Sequence, residues 1–151
     1  MSDALDASLR LVRAQTALVK RFDASLGGLH GVSLADFTML LRLGQAPGGR
    51  MRRVDLAEAL GLTASGVTRG LAPLERIRLV TRETDARDGR VAYATLTATG
   101  RARLTDMLAT AEQIAAEIFA APPWSEQDIG RLSALLTHLG GTGLPGHTLA
   151  P

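Results

Sequence analysis

Apolar residues recur at Leu5, Leu9, Val12, Val19, Phe22 and Leu26, with Thr16 filling the missing step. Spacings of three and four set them on one face of a helix. The pattern predicts a helix from Asp3 to about Leu26, ended by Gly27-Gly28. At 1.5 Å per residue, about 22 residues span about 33 Å, which is long for so small a chain. Ser33, with Asp36 three residues on, reads as a capping box in which Asp replaces the usual Glu. The helix it opens is expected to bury Phe37, Leu40, Leu41 and Leu43, and the Gly/Pro-rich run from Gly44 to Gly49 breaks it.

Val54, Leu56, Leu60 and Leu62 mark a short helix over about Arg53 to Leu60. Gly61 suits its end, and Thr63 is a good N-cap for the helix that follows. Two helices joined by only Gly-Leu-Thr must cross steeply, which is a helix-turn-helix. In the second of them Val67, Leu71 and Leu74 face inward. Its other face carries Ala64, Ser65, Thr68, Arg69 and Ala72: small, polar, and basic at one point.

The period then shortens. Two strand-like runs, around Leu79–Glu83 and Arg90–Leu96, flank Asp85-Ala86-Arg87-Asp88-Gly89, which reads as a hairpin tip with Asp-Gly supplying the turn. Thr97 caps another helix, striped by Leu104, Leu108, Ala111, Ile114 (or Ala115) and Ile118 and stopped by Pro122-Pro123. Ser125 opens the last helix, with Ile129, Leu132, Leu135, Leu136 and Leu139 apolar. From Gly140 on, Gly and Pro point to a frayed tail. Helix, glycine turn, helix and hairpin, in that order, predict a mainly α (α+β) fold of the winged helix-turn-helix kind.

Composition agrees with helices. Hydrophobic residues make up 46% of the chain but aromatics only 3%, so the core must be built from Leu, Ala and Val. No apolar run reaches membrane-spanning length, and Asp3 and Asp6 stand where a basic leader would begin. With no cysteine there is no disulfide framework, no thiolate metal site and no sensing by cysteine oxidation. A cytoplasmic protein without a cofactor and without a membrane partner is expected.

Charge sharpens the picture. Residues 50–103 hold 11 arginines against 6 acidic residues, a local net charge of +5, although the whole chain carries only +2. Lys20 is the one lysine. Arginine grips phosphate bidentately, so a basic middle segment hints at an anionic polymer. A helix with small residues at its start can enter the major groove, where Arg reads guanine. The N–H groups around Thr63–Ser65 can hold a backbone phosphate. A neighbouring hairpin can reach the narrow minor groove, which attracts Arg. On this reading Asp85 and Asp88 are braces that orient an arginine.

At this point the chain resembles a family. It is similar to bacterial regulators of the multiple-antibiotic-resistance (MarR) type. The likeness rests on Leu56-Ala57-Glu58-Ala59-Leu60-Gly61-Leu62-Thr63, on Val67-Thr68-Arg69 and on Leu74-Glu75-Arg76. It continues through Leu79-Val80-Thr81-Arg82, Asp85-Ala86-Arg87-Asp88-Gly89-Arg90 and Leu96-Thr97-Ala98-Thr99-Gly100. The Asp-x-x-Asp-x-Arg wing followed by Leu-Thr-x-x-Gly is its most specific part.

The resemblance implies a homodimer, usually a repressor, that reads a pseudo-palindromic operator in double-stranded DNA. By it, residues 1–30 are an N-terminal dimerisation helix and residues 31–100 the DNA-binding winged helix-turn-helix. Residues 101–140 are C-terminal dimerisation helices, and residues 141–151 a tail. It implies that the helix from Thr63 to about Ile77 enters the major groove, with Ser65, Thr68 and Arg69 exposed there and Arg90 as the wing arginine in the minor groove. Arg76 and Arg87 complete the expected DNA contacts. The family often binds small phenolic or anionic effectors near its dimer helices, and Phe22, His30 and Phe37 are the candidates here.

Two residues depart from the family pattern. Pro73 lies inside the recognition helix, where it cannot donate to the carbonyl of Arg69 and should kink the helix. Arg78 stands where a glycine often closes that helix, which suggests a helix end built differently. His30, His138 and His147 are too scattered for a metal site, and Trp124 suits a packing anchor. No glycine-rich phosphate loop, ligand cluster or nucleophile elbow supports an enzyme. A winged helix that binds protein without reading DNA is the competing reading, and the lack of aromatic anchors argues against it.

Overall fold

The computed structural model describes residues 2–120 and 124–140. Pro122-Pro123, His147 and the tail beyond residue 140 lie outside the described residues.

The first helix, α1, spans Asp3–His30. It therefore runs past the expected stop at Gly27-Gly28. Glycine inside a helix costs only about 1 kcal/mol, so a glycine pair ends one only where the backbone turns left-handed. That turn comes at Gly31, with φ 70° and its N–H donating to the Gly27 carbonyl at 3.0 Å. Helix α2, Leu34–Gln45, opens with the expected reciprocal box. Asp36 N–H donates to Ser33 Oγ at 3.1 Å, and Ser33 N–H donates to Asp36 Oδ2 at 2.9 Å. It buries Phe37, Met39, Leu40 and Leu43, while Leu41 is half-buried.

A short strand, β1, follows at Arg50–Arg52. The sequence reading missed it, because three residues are too few to display an alternation. Helix α3 (Arg53–Leu60) and helix α4 (Ala64–Arg76) form the helix-turn-helix. Gly61 sits at φ 63° between them, and Thr63 Oγ1 caps α4 by accepting from Gly66 N–H at 3.1 Å. Leu56 is fully buried, whereas Val54 and Leu62, which marked the helix in the sequence, are exposed.

Strands β2 (Val80–Thr84) and β3 (Ala92–Leu96) make the hairpin. With β1 on the far side of β3, the sheet has three antiparallel strands in the order β1-β3-β2. Arg52 faces Tyr93 and Glu83 faces Tyr93 from the other side. Helix α5, Ala98–Phe119, starts at the Thr97 cap, whose Oγ1 also donates to the Arg78 carbonyl at 2.8 Å. Helix α6 covers Glu126–Gly140 and opens with a Ser125–Asp128 box. Trp124 packs edge-on against Phe119, ring centroids 5.2 Å apart.

The core is aliphatic, as composition requires. Leu26, Leu40, Leu43, Leu56, Leu71, Leu74, Leu104 and Met107 fill it, so α1, α2 and α5 form the frame on which α4 sits. Among the described residues no helix is long and apolar enough to cross a membrane.

Candidate nucleic-acid interface

Helix α4 is held from below by Val67, Leu71 and Leu74, each at most 1% exposed. Gly70 lets it lie close to α2: a Cβ there would come within 2.6 Å of Met39 Cε. Arg53 at the start of α3 is paired with Glu75 near the end of α4, fixing one helix against the other. Met39 escaped the sequence reading, although its i+4 relation to Leu43 was the available signal. The Arg53–Glu75 pair, 22 residues apart, leaves no such signal.

The opposite face of α4 is exposed and carries Ser65, Thr68, Arg69 and Arg76. Thr63 and Ser65 hydroxyls lie 3.1 Å apart at its N-terminus, and Thr68 Oγ1 donates back to the Ala64 carbonyl at 3.1 Å. The helix runs unbroken through Pro73.

Its end is not built differently after all. Arg78 itself takes the left-handed conformation, φ 59°. Arg78 N–H donates to the Glu75 carbonyl at 3.1 Å and Leu79 N–H to the Leu74 carbonyl at 3.0 Å. These two bonds make a Schellman motif with arginine in the glycine position.

The wing corrects two expectations. Gly89 is not among the glycines with positive φ, so Asp-Gly does not make a hairpin turn of the left-handed type. Instead the loop hangs on two carboxylates. Asp85 Oδ1 accepts from the N–H groups of Arg87 at 2.8 Å and Asp88 at 3.2 Å, and Asp88 Oδ1 accepts from Arg90 N–H at 3.0 Å. Both acids thus brace backbone, not guanidinium. A short Asp side chain reaches the amide two residues on more readily than a mobile arginine head. The Arg87 and Asp88 N–H groups hold the Asp85 carboxyl below the ordinary aspartate value, with Arg50 and Tyr93 contributing less.

That leaves the guanidinium groups free. Arg69, Arg76, Arg82, Arg87 and Arg90 are exposed, and among the described residues none lies within ion-pair distance of a carboxylate. The arginines preceding the helix-turn-helix differ. Arg50 stacks on the Tyr93 ring at 3.8 Å and lies 3.7 Å from Glu83, while Arg52 holds Asp55 bidentately at 2.7 and 2.8 Å.

The expected effector residues are engaged in packing. Phe37 is in the core, Phe22 packs against it, and His30 hydrogen-bonds Thr110 Oγ1 at 2.8 Å. Among the described residues no group of His, Cys, Asp and Glu could hold a metal ion.

A family model described as the MarR family matches residues 30–91. No curated protein matches the sequence significantly. Solved structures do. A probable transcriptional regulator from Pseudomonas aeruginosa is 27% identical with a TM-score of 0.78, covering 88% of this chain and 96% of its own. Sco3205, a MarR family transcriptional regulator from Streptomyces coelicolor solved in complex with DNA, is 22% identical with a TM-score of 0.77 over 92% of this chain and 87% of that one. BpsR of Bordetella bronchiseptica, whose DNA binding is regulated by 6-hydroxynicotinic acid, is 23% identical with a TM-score of 0.81 over 94% and 98%.

Proposed function

We propose that this chain is a regulator of the MarR type, a winged helix-turn-helix protein that binds double-stranded DNA as a homodimer and represses transcription from a pseudo-palindromic operator. The observation that carries this reading is the set of five unpaired arginines on α4 and the wing, beside a small polar face at the start of α4. Unpaired guanidinium groups keep their full capacity for phosphate and guanine. In this reading Thr63 and Ser65 hold a phosphate at the helix start, Thr68 and Arg69 face base edges, and Arg76, Arg87 and Arg90 meet the backbone and minor groove. Two of the similar structures, those from Streptomyces and Bordetella, come from proteins described by their DNA binding, which supports the same role here.

The dimer rests on exposed apolar surface. Leu5, Leu9 and Val12 of α1 are 50%, 49% and 58% exposed, and Leu135 and Leu139 of α6 are 67% and 70% exposed. Among the described residues no other element packs extensively on α6. Such stripes call for a second copy, and residues 1–30 and 101–140 are its dimerisation segments in this proposal. Release by a small phenolic or anionic effector belongs to the same reading.

The experiment is retention of genomic DNA fragments on the protein, sequenced in parallel for the Arg69→Ala variant. Enrichment of one inverted repeat by the parent alone supports a sequence-reading dimer. Retention without a shared sequence would leave only a basic surface, and no retention at low salt would favour a protein-binding module. A well-folded monomer at micromolar concentration in sedimentation would overturn the dimer.

A further inference from the structure

Ala64, Thr68 and Ala72 stand four residues apart on the exposed side of α4 and so form one row along it. At 1.5 Å per residue the row is about 12 Å long, which is the rise of about three to four base pairs. Arg69 lies beside Thr68, and among the described residues no carboxylate is within ion-pair distance of it.

The chemistry that this helix lacks narrows what it can read. Its sequence contains no Asn, Gln, Asp or Lys, and its one acid, Glu75, is paired with Arg53. The side chains that fork onto adenine or accept from cytosine are therefore missing. The hydroxyls do not replace them. Thr63 Oγ1 accepts from Gly66 N–H and lies 3.1 Å from Ser65 Oγ, which ties those two hydroxyls together at the helix start. Thr68 Oγ1 donates to the Ala64 carbonyl at 3.1 Å, so its proton is spent inside the helix. What Thr68 leaves for a partner is its methyl group, which joins the row of the Ala64 and Ala72 methyls. A guanidinium finds two acceptors on the edge of guanine, and a methyl packs on the one base edge that itself carries a methyl, that of thymine.

We propose that α4 reads guanine and thymine alone. Arg69 takes a guanine, and the Thr68 methyl packs on the C5-methyl of a nearby thymine, so that Thr68 selects by its methyl and not by its hydroxyl. Ala64 and Ala72 extend the same apolar strip to either side. The inference rests on the DNA-binding function proposed above and adds to it which bases each half-site must present.

The test is selection by the full-length protein from two pools of randomised duplex, one made with thymine and one with uracil in its place. Uracil lacks only the C5-methyl and keeps every hydrogen-bonding group. From the thymine pool the parent should enrich an inverted repeat in which each half-site fixes a guanine and a nearby thymine. From the uracil pool the guanine should stay fixed while its neighbour opens to any base. In the selected duplex, uracil at that position of both half-sites should weaken binding about fourfold per methyl, or about fifteenfold together. Thr68→Ser keeps the hydroxyl; it should bind the thymine duplex as weakly as the parent binds the uracil one and not tell them apart. Thr68→Val keeps the methyl and should still tell them apart. The uracil comparison needs no variant, and a thermal melt checks that both variants are folded. An enriched repeat without a fixed guanine and thymine, equal binding of the two duplexes by the parent, or a preference for thymine that survives in Thr68→Ser would each overturn this inference alone. No enriched sequence in the thymine pool would overturn the DNA-reading function itself, and the inference with it.

Discussion

Asp85 Oδ1 accepts a hydrogen bond from the backbone N–H of Arg87 at 2.8 Å, so the carboxylate that was expected to hold an arginine head holds the arginine's own peptide. The wing loop is shaped by acids so that its bases stay free. Asp85→Ala is expected to weaken operator binding several-fold while leaving the preferred sequence unchanged, as retention of operator and scrambled duplexes would measure. Asp85→Asn keeps an acceptor oxygen and should retain most of the affinity.

The same bond sets a pH dependence. The Asp85 carboxyl titrates below its ordinary value, because the N–H groups of Arg87 and Asp88 favour its charged form. A depressed folded-state value means that loop order is present above the ordinary aspartate value of about 4 and is lost as pH falls through the lower one. The amide shifts of Arg87 and Asp88 should follow that titration in wild type. In Asp85→Asn they should not. Titration of those amides at or above pH 4 would contradict the bonding described.

Arg78 occupies a left-handed position that glycine takes without strain. A non-glycine residue there costs about 1–2 kcal/mol, while a new glycine loosens the unfolded chain by about 0.4–1 kcal/mol. Arg78→Gly should therefore stabilise the fold by about 0.5–1 kcal/mol in a denaturant titration. A loss of stability would mean that the Arg78 side chain holds the helix end.

Two glycines should answer in opposite directions. A Cβ on Gly100 would stand 2.0 Å from the Leu79 carbonyl oxygen, which is backbone and cannot swing away. Gly100→Ala is expected to destabilise by about 3 kcal/mol or more, by pushing α5 off the strand that leads into the wing. Gly28 lies inside α1 with nothing within 4 Å of its would-be Cβ. Gly28→Ala should stabilise by about 0.5–1 kcal/mol through helix propensity alone. Thermal melts of the two variants check both signs.

These residues also mark what the sequence makes legible. Local chemistry is visible: the Ser33–Asp36 box, the Thr63 and Thr97 caps and the left-handed Gly61 follow from residue type and spacing, and all are present. The inward face of α4 was legible for the same reason, since Val67, Leu71 and Leu74 repeat at helical spacing. Features set by distant neighbours were not. Strand β1 exists because β3 offers it an edge. Arg78 turns left-handed because Leu74 and Leu79 must both be buried. The partners of Asp85 depend on loop geometry, and charge alternation in the sequence suggested guanidinium where the backbone stood.

Arg69 and Arg90 are both exposed and unpaired, yet they sit on different elements and should fail differently. Arg69 lies on α4, beside the small residues that admit the helix into a groove. If it reads a base edge, Arg69→Ala should cost about 1–3 kcal/mol on the operator and relax preference at one position of each half-site. Arg90 lies at the wing, where attraction to a narrow groove depends on charge more than on pattern. Arg90→Ala should weaken binding to all duplexes alike and lower the salt slope by about 1 per half-site. Binding isotherms of operator and scrambled duplex over a salt series separate the two cases. A sequence-independent loss for Arg69→Ala would remove it from base reading and leave the polar residues Ser65 and Thr68 as the readers on that face.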